Sequence, residues 1–249
     1  MKLYGLIGYP LKHSFSKGYF NEKFLAEGID AQYVNFEISS IKEFKQILED
    51  HPELSGLNVT SPYKEQVMPL LNGLDKESAG KVGAVNVIKI IRDGKKKPRL
   101  IGYNSDIVGF ERSIKPVLRP EMKKALILGT GGASKAVFHG LKDLGVESTL
   151  VSRSKKGKDI ISYADLTREV IQENPVIINA TPVGMFPAND ICPDIPYEYL
   201  TERHLLYDLI YNPDQTLFMT KGKERGAQVM NGLEMLLLQA FVSWEIWNL

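Results

Sequence analysis

The sequence predicts an α/β fold in two domains, and three observations carry that prediction. Short apolar strands alternate with helices along both halves of the chain, an order that builds mostly parallel sheets covered by helices. One middle strand, Lys124-Ala125-Leu126-Ile127-Leu128, is apolar past its first residue and runs straight into a glycine-rich turn. The pattern changes at Asp106, where a strand end gives way to a new amphipathic helix. The predicted domains are residues 1–105 and 106–232, with the helical segment 233–249 returning to complete the first.

Each element of the first domain has a local reason. Lys2 to Gly8 is a short apolar strand that stops at Tyr9-Pro10. From Ser16 to Glu27 the residues Tyr19, Phe20, Phe24 and Leu25 recur at helical spacing, and Gly28 ends the run. Ala31 to Glu37 alternates as a strand does, and Ile41 to Asp50 is helical with Phe44, Ile47 and Leu48 inward. Gly56 to Thr60 reads as a strand and Lys64 to Leu71 as a helix. Asn86 to Ile91 and Arg99 to Tyr103 form a hairpin, because Asp93-Gly94 suits a tight turn. Lys95-Lys96-Lys97 then falls in a solvated loop without function.

In the second domain Ile107 to Leu118 is a helix closed by Arg119-Pro120. Lys124 to Leu128 suits a central parallel strand buried on both faces. A helix follows through Leu144, then strands at Glu147 to Val151, Val176 to Asn179 and Leu205 to Leu209. Gln215 to Arg225 is helical, Gln228 to Met230 a last strand, and Leu233 to Trp247 an apolar helix.

Bulk composition narrows the classes of function. The chain has 249 residues, 43% hydrophobic and 24% charged, enough for a real core. A net charge of +1 argues against nucleic acid and against an anionic membrane surface. No uncharged apolar run reaches the ~18 residues of a membrane span. The single cysteine, Cys192, excludes an internal disulfide framework and a cysteine-rich metal site, and no His/Cys/Asp ligand cluster appears, so no metal is expected. The expected compartment is the cytoplasm; a homodimer stays open, since the sequence sets no oligomeric state.

Gly129-Thr130-Gly131-Gly132-Ala133-Ser134 follows a buried-type strand and opens a helix, the context a dinucleotide fingerprint requires. Gly129 permits a tight turn and Gly131 lets backbone approach a pyrophosphate, which the helix N-terminus attracts. The next strand ends at Ser152-Arg153-Ser154-Lys155-Lys156, with no acid until Asp159. An acid there would bind a ribose 2′-hydroxyl, whereas an arginine suits a 2′-phosphate and the adenine face. NADP is therefore expected over NAD.

Four motifs in the first half put polar groups at strand ends: His13-Ser14-Phe15-Ser16, Asn58 to Lys64, Gly83-Ala84-Val85-Asn86 and Asn104-Ser105-Asp106. Ligands of open α/β sheets bind beyond the carboxyl ends of strands, so the four can converge on one cleft. Hydroxyls and amides suit a polyhydroxylated substrate, and one cation would hold a carboxylate. A structural reading competes at each position. Ser14 and Ser16 fit helix caps, Asn58 a turn, and Asp106 the N-cap of the helix from Ile107. Lys64 fits a solvated charge, although a cation at a helix start opposes the dipole.

Taken in order, Asn58-Val59-Thr60-x-Pro62-x-Lys64, Gly83-Ala84-x-Asn86, Asn104-x-Asp106 and Gly129-x-Gly131-Gly132-Ala133 resemble the shikimate dehydrogenase family. So do Asn179-Ala180-Thr181-Pro182-x-Gly184-Met185, Asp208-Leu209-x-Tyr211-x-Pro213-x-x-Thr216 and Gly232-Leu233-x-Met235-Leu236-x-x-Gln239. The resemblance implies a substrate domain and a Rossmann NADP-binding domain facing each other across a cleft. It implies reversible reduction of 3-dehydroshikimate to shikimate in aromatic amino acid biosynthesis, a small-molecule partner and the cofactor NADP. By the family pattern Lys64 and Asp106 are the catalytic pair. Ser14 and Ser16 hold the substrate carboxylate, Tyr211 helps close that pocket, and Thr60, Asn86 and Gln239 bind ring hydroxyls. Gly129, Gly131, Gly132, Ala133, Ser152, Arg153 and Ser154 take the cofactor phosphates, with Thr181, Met185 and Gly232 beside the cofactor. The chain departs from the family in having Ser152-Arg153-Ser154 for Asn-Arg-Thr, Asn231-Gly232 for Gly-Gly, and Ser105 for Thr. Two alternatives remain open: a quinate/shikimate dehydrogenase that also uses NAD, and a non-catalytic metabolite-binding relative.

Overall fold

The structure, a computed structural model, describes residues 1–11, 15–94, 97–154, 157 and 160–249. The expectations for Ser14, Lys155 and Lys156, and for Lys95 and Lys96 in the hairpin loop, lie outside the described residues. The chain divides into two compact units, Met1–Ser105 with Ala240–Leu249, and Asp106–Gln239.

The first unit contains β1 (Lys2–Gly8), α1 (Phe15–Ala26), β2 (Ala31–Glu37), α2 (Phe44–Asp50) and β3 (Leu54–Val59), then β4 (Gly73–Leu74), α3 (Ala79–Val82), β5 (Val87–Ile91) and β6 (Arg99–Tyr103). Its sheet runs β2-β1-β3-β5-β6-β4. β1 lies parallel to β2 and β3, and β5 is antiparallel to both β3 and β6. The sheet is therefore mixed. The consequence matters for the site: the carboxyl ends of β1, β3 and β6 and the start of β5 share one edge.

The helix expected from Lys64 to Leu71 does not form; the segment makes turns and a single 3-10 turn at Met68–Leu70. Pro69 explains this, since it has no N–H and its ring would collide with the carbonyl four residues earlier. β4 and α3 are too short to leave a periodic signal, and the sequence reading passed over them.

The second unit contains α4 (Ser105–Ile114, its first residue belonging to the first unit), β7 (Lys124–Leu128), α5 (Gly132–Asp143), β8 (Glu147–Val151) and β9 (Ile160–Ile161). It continues with α6 (Arg168–Glu173), β10 (Val176–Asn179), β11 (Leu205–Asp208), α7 (Leu217–Glu224), β12 (Gln228–Met230) and α8 (Leu233–Asn248). α4 ends earlier than expected, at a 3-10 turn of Lys115–Val117 that contains Pro116. The sheet order is β12-β11-β10-β7-β8-β9, all parallel, which is the doubly wound dinucleotide-binding order. Alternate residues of its strands feed two cores. Ala125, Ile127, Ile178 and Tyr207 pack with Phe110 and Val137 on one face; Leu126, Leu128, Ile177 and Leu206 pack with Ile171 and Phe218 on the other. Burial on both faces is why β7 reads as an unbroken apolar run.

α8 divides after Gln239, so its first turns belong to the second unit and its last nine residues to the first. In the first unit Trp247 stacks on Tyr4 with ring centroids 4.8 Å apart and donates its indole N–H to the Ile88 carbonyl at 3.2 Å. Gly56 is required beneath it, because a Cβ there would enter the Trp247 indole.

Candidate functional site

In the second unit the strand order reverses between β7 and β10, the switch point at which a doubly wound sheet opens a crevice. The turn after β7 lies there. Gly129 adopts φ +110°, a conformation that favours glycine, and a Cβ on it would come within 3.0 Å of the Thr181 methyl. Gly131 precedes α5 in extended backbone, and open space surrounds the position its Cβ would take. Gly132 and Ala133 open the helix, so their N–H groups are among those with no partner inside it.

A cavity of about 710 Å³ begins at this turn. Its wall includes Gly129, Gly131, Ser152, Arg153, Ser154 and Thr181, six of the residues expected at the cofactor. Ser134 in the first turn of α5 is 1% exposed, and its hydroxyl has no hydrogen-bond partner among the described residues. Ser134 does not line the cavity; it lies against Gly129, as the small residue that lets helix and strand pack at the turn. Arg153 is exposed in the cavity wall at the end of β8, where the cofactor ribose of a dinucleotide lies. Ser152 is buried below it, its hydroxyl accepting from the Ser154 amide at 3.4 Å. Tyr163, Cys192 and Asp194 also line the cavity, and no sequence motif marked them. Burial raises the pKa of the Tyr163 hydroxyl, Arg153 opposes that rise and Asp194 adds to it.

Thr181 is held by Asn179 at the end of β10: the Asn179 Oδ1 accepts from the Thr181 hydroxyl at 2.6 Å and from its amide at 3.1 Å. Met185 and Tyr211 sit on the loops after β10 and β11, 47% and 36% exposed, outside the cavity wall. Gly232 is buried against Leu209, where a Cβ would collide with the Leu209 carbonyl; close backbone packing accounts for glycine there. Gln239 belongs to the second unit, lies against Gly109 and donates to the Leu236 carbonyl at 2.9 Å.

In the first unit three of the polar motifs meet at the edge shared by β1, β3, β5 and β6. The Val59 amide donates to the Asn86 carbonyl at 2.9 Å, and the Val85 amide to the Lys64 carbonyl at 2.7 Å. The Thr60 amide donates to Ile7 at 2.9 Å, which ties the motif to the end of β1. The Asn86 side chain is 3% exposed; its Oδ1 accepts from the Ser105 amide at 2.7 Å and its Nδ2 donates to the Ser105 hydroxyl at 3.0 Å. Asn58 and Asn86 are both buried. Asn58 donates to Ser243 on α8 at 3.0 Å and accepts from the Tyr33 hydroxyl at 2.9 Å. Ser16 stands half-buried in the first turn of α1. Lys64 and Thr60 are half-buried at this edge.

Two competing readings change here. α4 begins at Ser105, so Asp106 stands inside its first turn and is not its N-cap. Lys64 precedes no α-helix, so the dipole argument about its charge has no basis. Tyr33 and Ser243 were missed as parts of the network; only the fold brings residues so far apart in sequence together.

A model described as the shikimate dehydrogenase substrate binding domain matches residues 6–88. A curated NADP(+)-dependent shikimate dehydrogenase of Desulforamulus reducens is 36% identical, over 98% of this chain and 89% of its own. The crystal structure of shikimate dehydrogenase from Aquifex aeolicus is similar with a TM-score of 0.86 at 35% identity, covering 100% of this chain and 92% of that one. Shikimate 5-dehydrogenase from Thermus thermophilus, solved with NADP(H) and shikimate, has a TM-score of 0.85 at 28% identity, covering 100% and 94%.

Proposed function

The chain belongs to the shikimate dehydrogenase family, and from that premise we propose that it reversibly reduces 3-dehydroshikimate to shikimate with NADPH, in aromatic amino acid biosynthesis. The convergence of Thr60, Lys64 and Asn86 on one sheet edge is the observation that carries this reading, because it supplies hydroxyl, ammonium and amide to one small polyhydroxylated ring.

NADPH, when bound, supplies the hydride for the ketone carbon. The residues of the chain handle the rest. The turn from Gly129 to Ala133 would hold the pyrophosphate, and Arg153 with Ser152 and Ser154 would hold the 2′-phosphate. Thr181, Met185 and Gly232 lie beside the cofactor. Ser14, Ser16 and Tyr211 take the substrate carboxylate, and Thr60, Asn86 and Gln239 the ring hydroxyls. Lys64 hydrogen-bonds the ketone oxygen, stabilises the charge that grows on it and gives it a proton. Asp106 keeps Lys64 charged and oriented. In the reverse direction Lys64 takes that proton back. A cytoplasmic address completes the reading, and sedimentation decides whether the 28.0 kDa chain is a monomer or the homodimer that the sequence leaves open.

Loss of NADPH absorbance on addition of 3-dehydroshikimate tests the function, with NADH and quinate as comparison arms. Absence of oxidation by a folded protein refutes it. Lys64→Ala is expected to lower kcat by roughly 10²–10⁴-fold with a smaller effect on KM. Near-normal turnover in that folded variant removes Lys64 from the role.

A further inference from the structure

Asn179 and Asp208 themselves have no role in the chemistry above, yet they anchor a connected buried polar network in the second unit. Asp208 ends β11 at 0% exposure. Its Oδ1 accepts from the Asn179 Nδ2 at 3.0 Å and from the Ile210 amide at 3.1 Å. Its Oδ2 accepts from the Thr216 hydroxyl at 2.6 Å. Thr216 in turn caps α7, accepting from the Met219 amide at 3.3 Å. On the other side Asn179 is fixed by Asp208 and by its own Nδ2 donating to the Val183 carbonyl at 3.2 Å, which leaves its Oδ1 to clamp Thr181. The Val183 amide closes the loop on the Thr181 hydroxyl at 3.2 Å. The two loops meet once more where the Phe186 amide donates to the Asn212 carbonyl at 3.1 Å.

We propose that Asp208 is a positioning residue: it sets the loops after β10 and β11 as one piece and, through Asn179, fixes Thr181 in the wall of the dinucleotide cavity. An asparagine amide can rotate end over end, and with its Oδ1 turned away Thr181 would lose two hydrogen bonds. Asp208 forbids that rotation, because a carboxylate oxygen accepts only, and so faces the Asn179 NH₂ and never its oxygen. The consequence for affinity rests on the cofactor reading given above; the consequence for the loop does not.

The test compares Asp208→Ala, Asp208→Asn and Asn179→Ala with the parent chain by amide hydrogen exchange without cofactor and by fluorescence titration with NADPH. Asp208→Ala is expected to speed exchange at Thr181 and Val183 and to raise the Kd for NADPH, each roughly tenfold, while exchange in β7 stays as it was. Asp208→Asn restores both, since one oxygen can still accept from Asn179 and Ile210 and the Thr216 hydroxyl can turn to accept. In an Asn179→Ala background Asp208→Ala should add nothing at Thr181, because the linking amide is gone. Uniform acceleration over the whole unit, or an additive effect in the double variant, overturns the proposal. Asp208→Ser replaces the alanine variant should that one not fold, with the same outcomes. Failure to bind NADPH in the parent chain sinks the cofactor reading alone, and exchange at Thr181 and Val183 still decides the role of Asp208.

Discussion

Asp208 makes a sharp prediction about pH. Its carboxyl is wholly out of water, and burial pushes its pKa from 3.8 up to about 6 despite the hydrogen bonds from Thr216, Ile210 and Asn179 that favour the charge. The sign follows from which state holds the proton. Below about pH 4 the carboxyl is protonated whether the chain is folded or not. Between about 4 and 6 the unfolded chain ionises while the folded one keeps its proton, so the native state loses stability as pH rises. At ~1.36 kcal/mol per pH unit, the burial costs about 1 kcal/mol at pH 4.5 and about 3 kcal/mol at pH 7.5. Tyr197 is the titratable neighbour that feels Asp208, and it stays protonated because burial raises its own pKa well above this range. Asp208→Asn removes the titration while keeping the shape. Urea unfolding followed by circular dichroism, on both proteins from pH 4.5 to 7.5, isolates it, because every other titrating group is common to the pair. The stability difference between parent and variant should move by ~2 kcal/mol across the range, to the parent's disadvantage at high pH. A difference flat to within ~0.5 kcal/mol would refute a buried carboxylate at the end of β11.

Other substitutions test other parts. Arg153→Ala should raise the KM for NADPH roughly 10–100-fold and leave that for NADH nearly unchanged, since only the former carries the phosphate its guanidinium pairs with; equal shifts for both cofactors argue against the assignment. Gly129→Ala puts a side chain at φ +110° and within 3.0 Å of Thr181, so it should cost roughly 1–3 kcal/mol of stability and weaken NADPH binding in titration. Trp247→Ala empties the stack on Tyr4 and frees the Ile88 carbonyl. Thermal unfolding should show a loss of about 3–5 kcal/mol, and an unchanged midpoint would mean the end of α8 adds little to the first unit.

Much of the fold was legible because it is written in local pattern. The apolar run of β7 followed at once by Gly129 needs no long-range information: a strand buried on both faces must be apolar, and the turn after it must allow a positive φ. The β5–β6 hairpin follows likewise from Asp93-Gly94 between two apolar runs. The one misread helix, at Lys64 to Leu71, was also a local matter, since Pro69 was in view and the apolar spacing was allowed to outweigh it.

The sequence by itself determined the longer strands, the glycine turn, the basic end of β8 and the ordered motifs that mark the family. It determined them because backbone geometry and hydrophobic period act over a few residues. Only the tertiary structure decided that Asn58 meets Ser243 and that Asn86 holds Ser105. It alone decided that a carboxylate at the end of β11 accepts a hydrogen bond from an amide at the end of β10. Those pairings depend on strand order and on where α8 ends, and strand order is fixed by which faces can be covered at once. Such a choice is made by the whole core and leaves no trace at any single position.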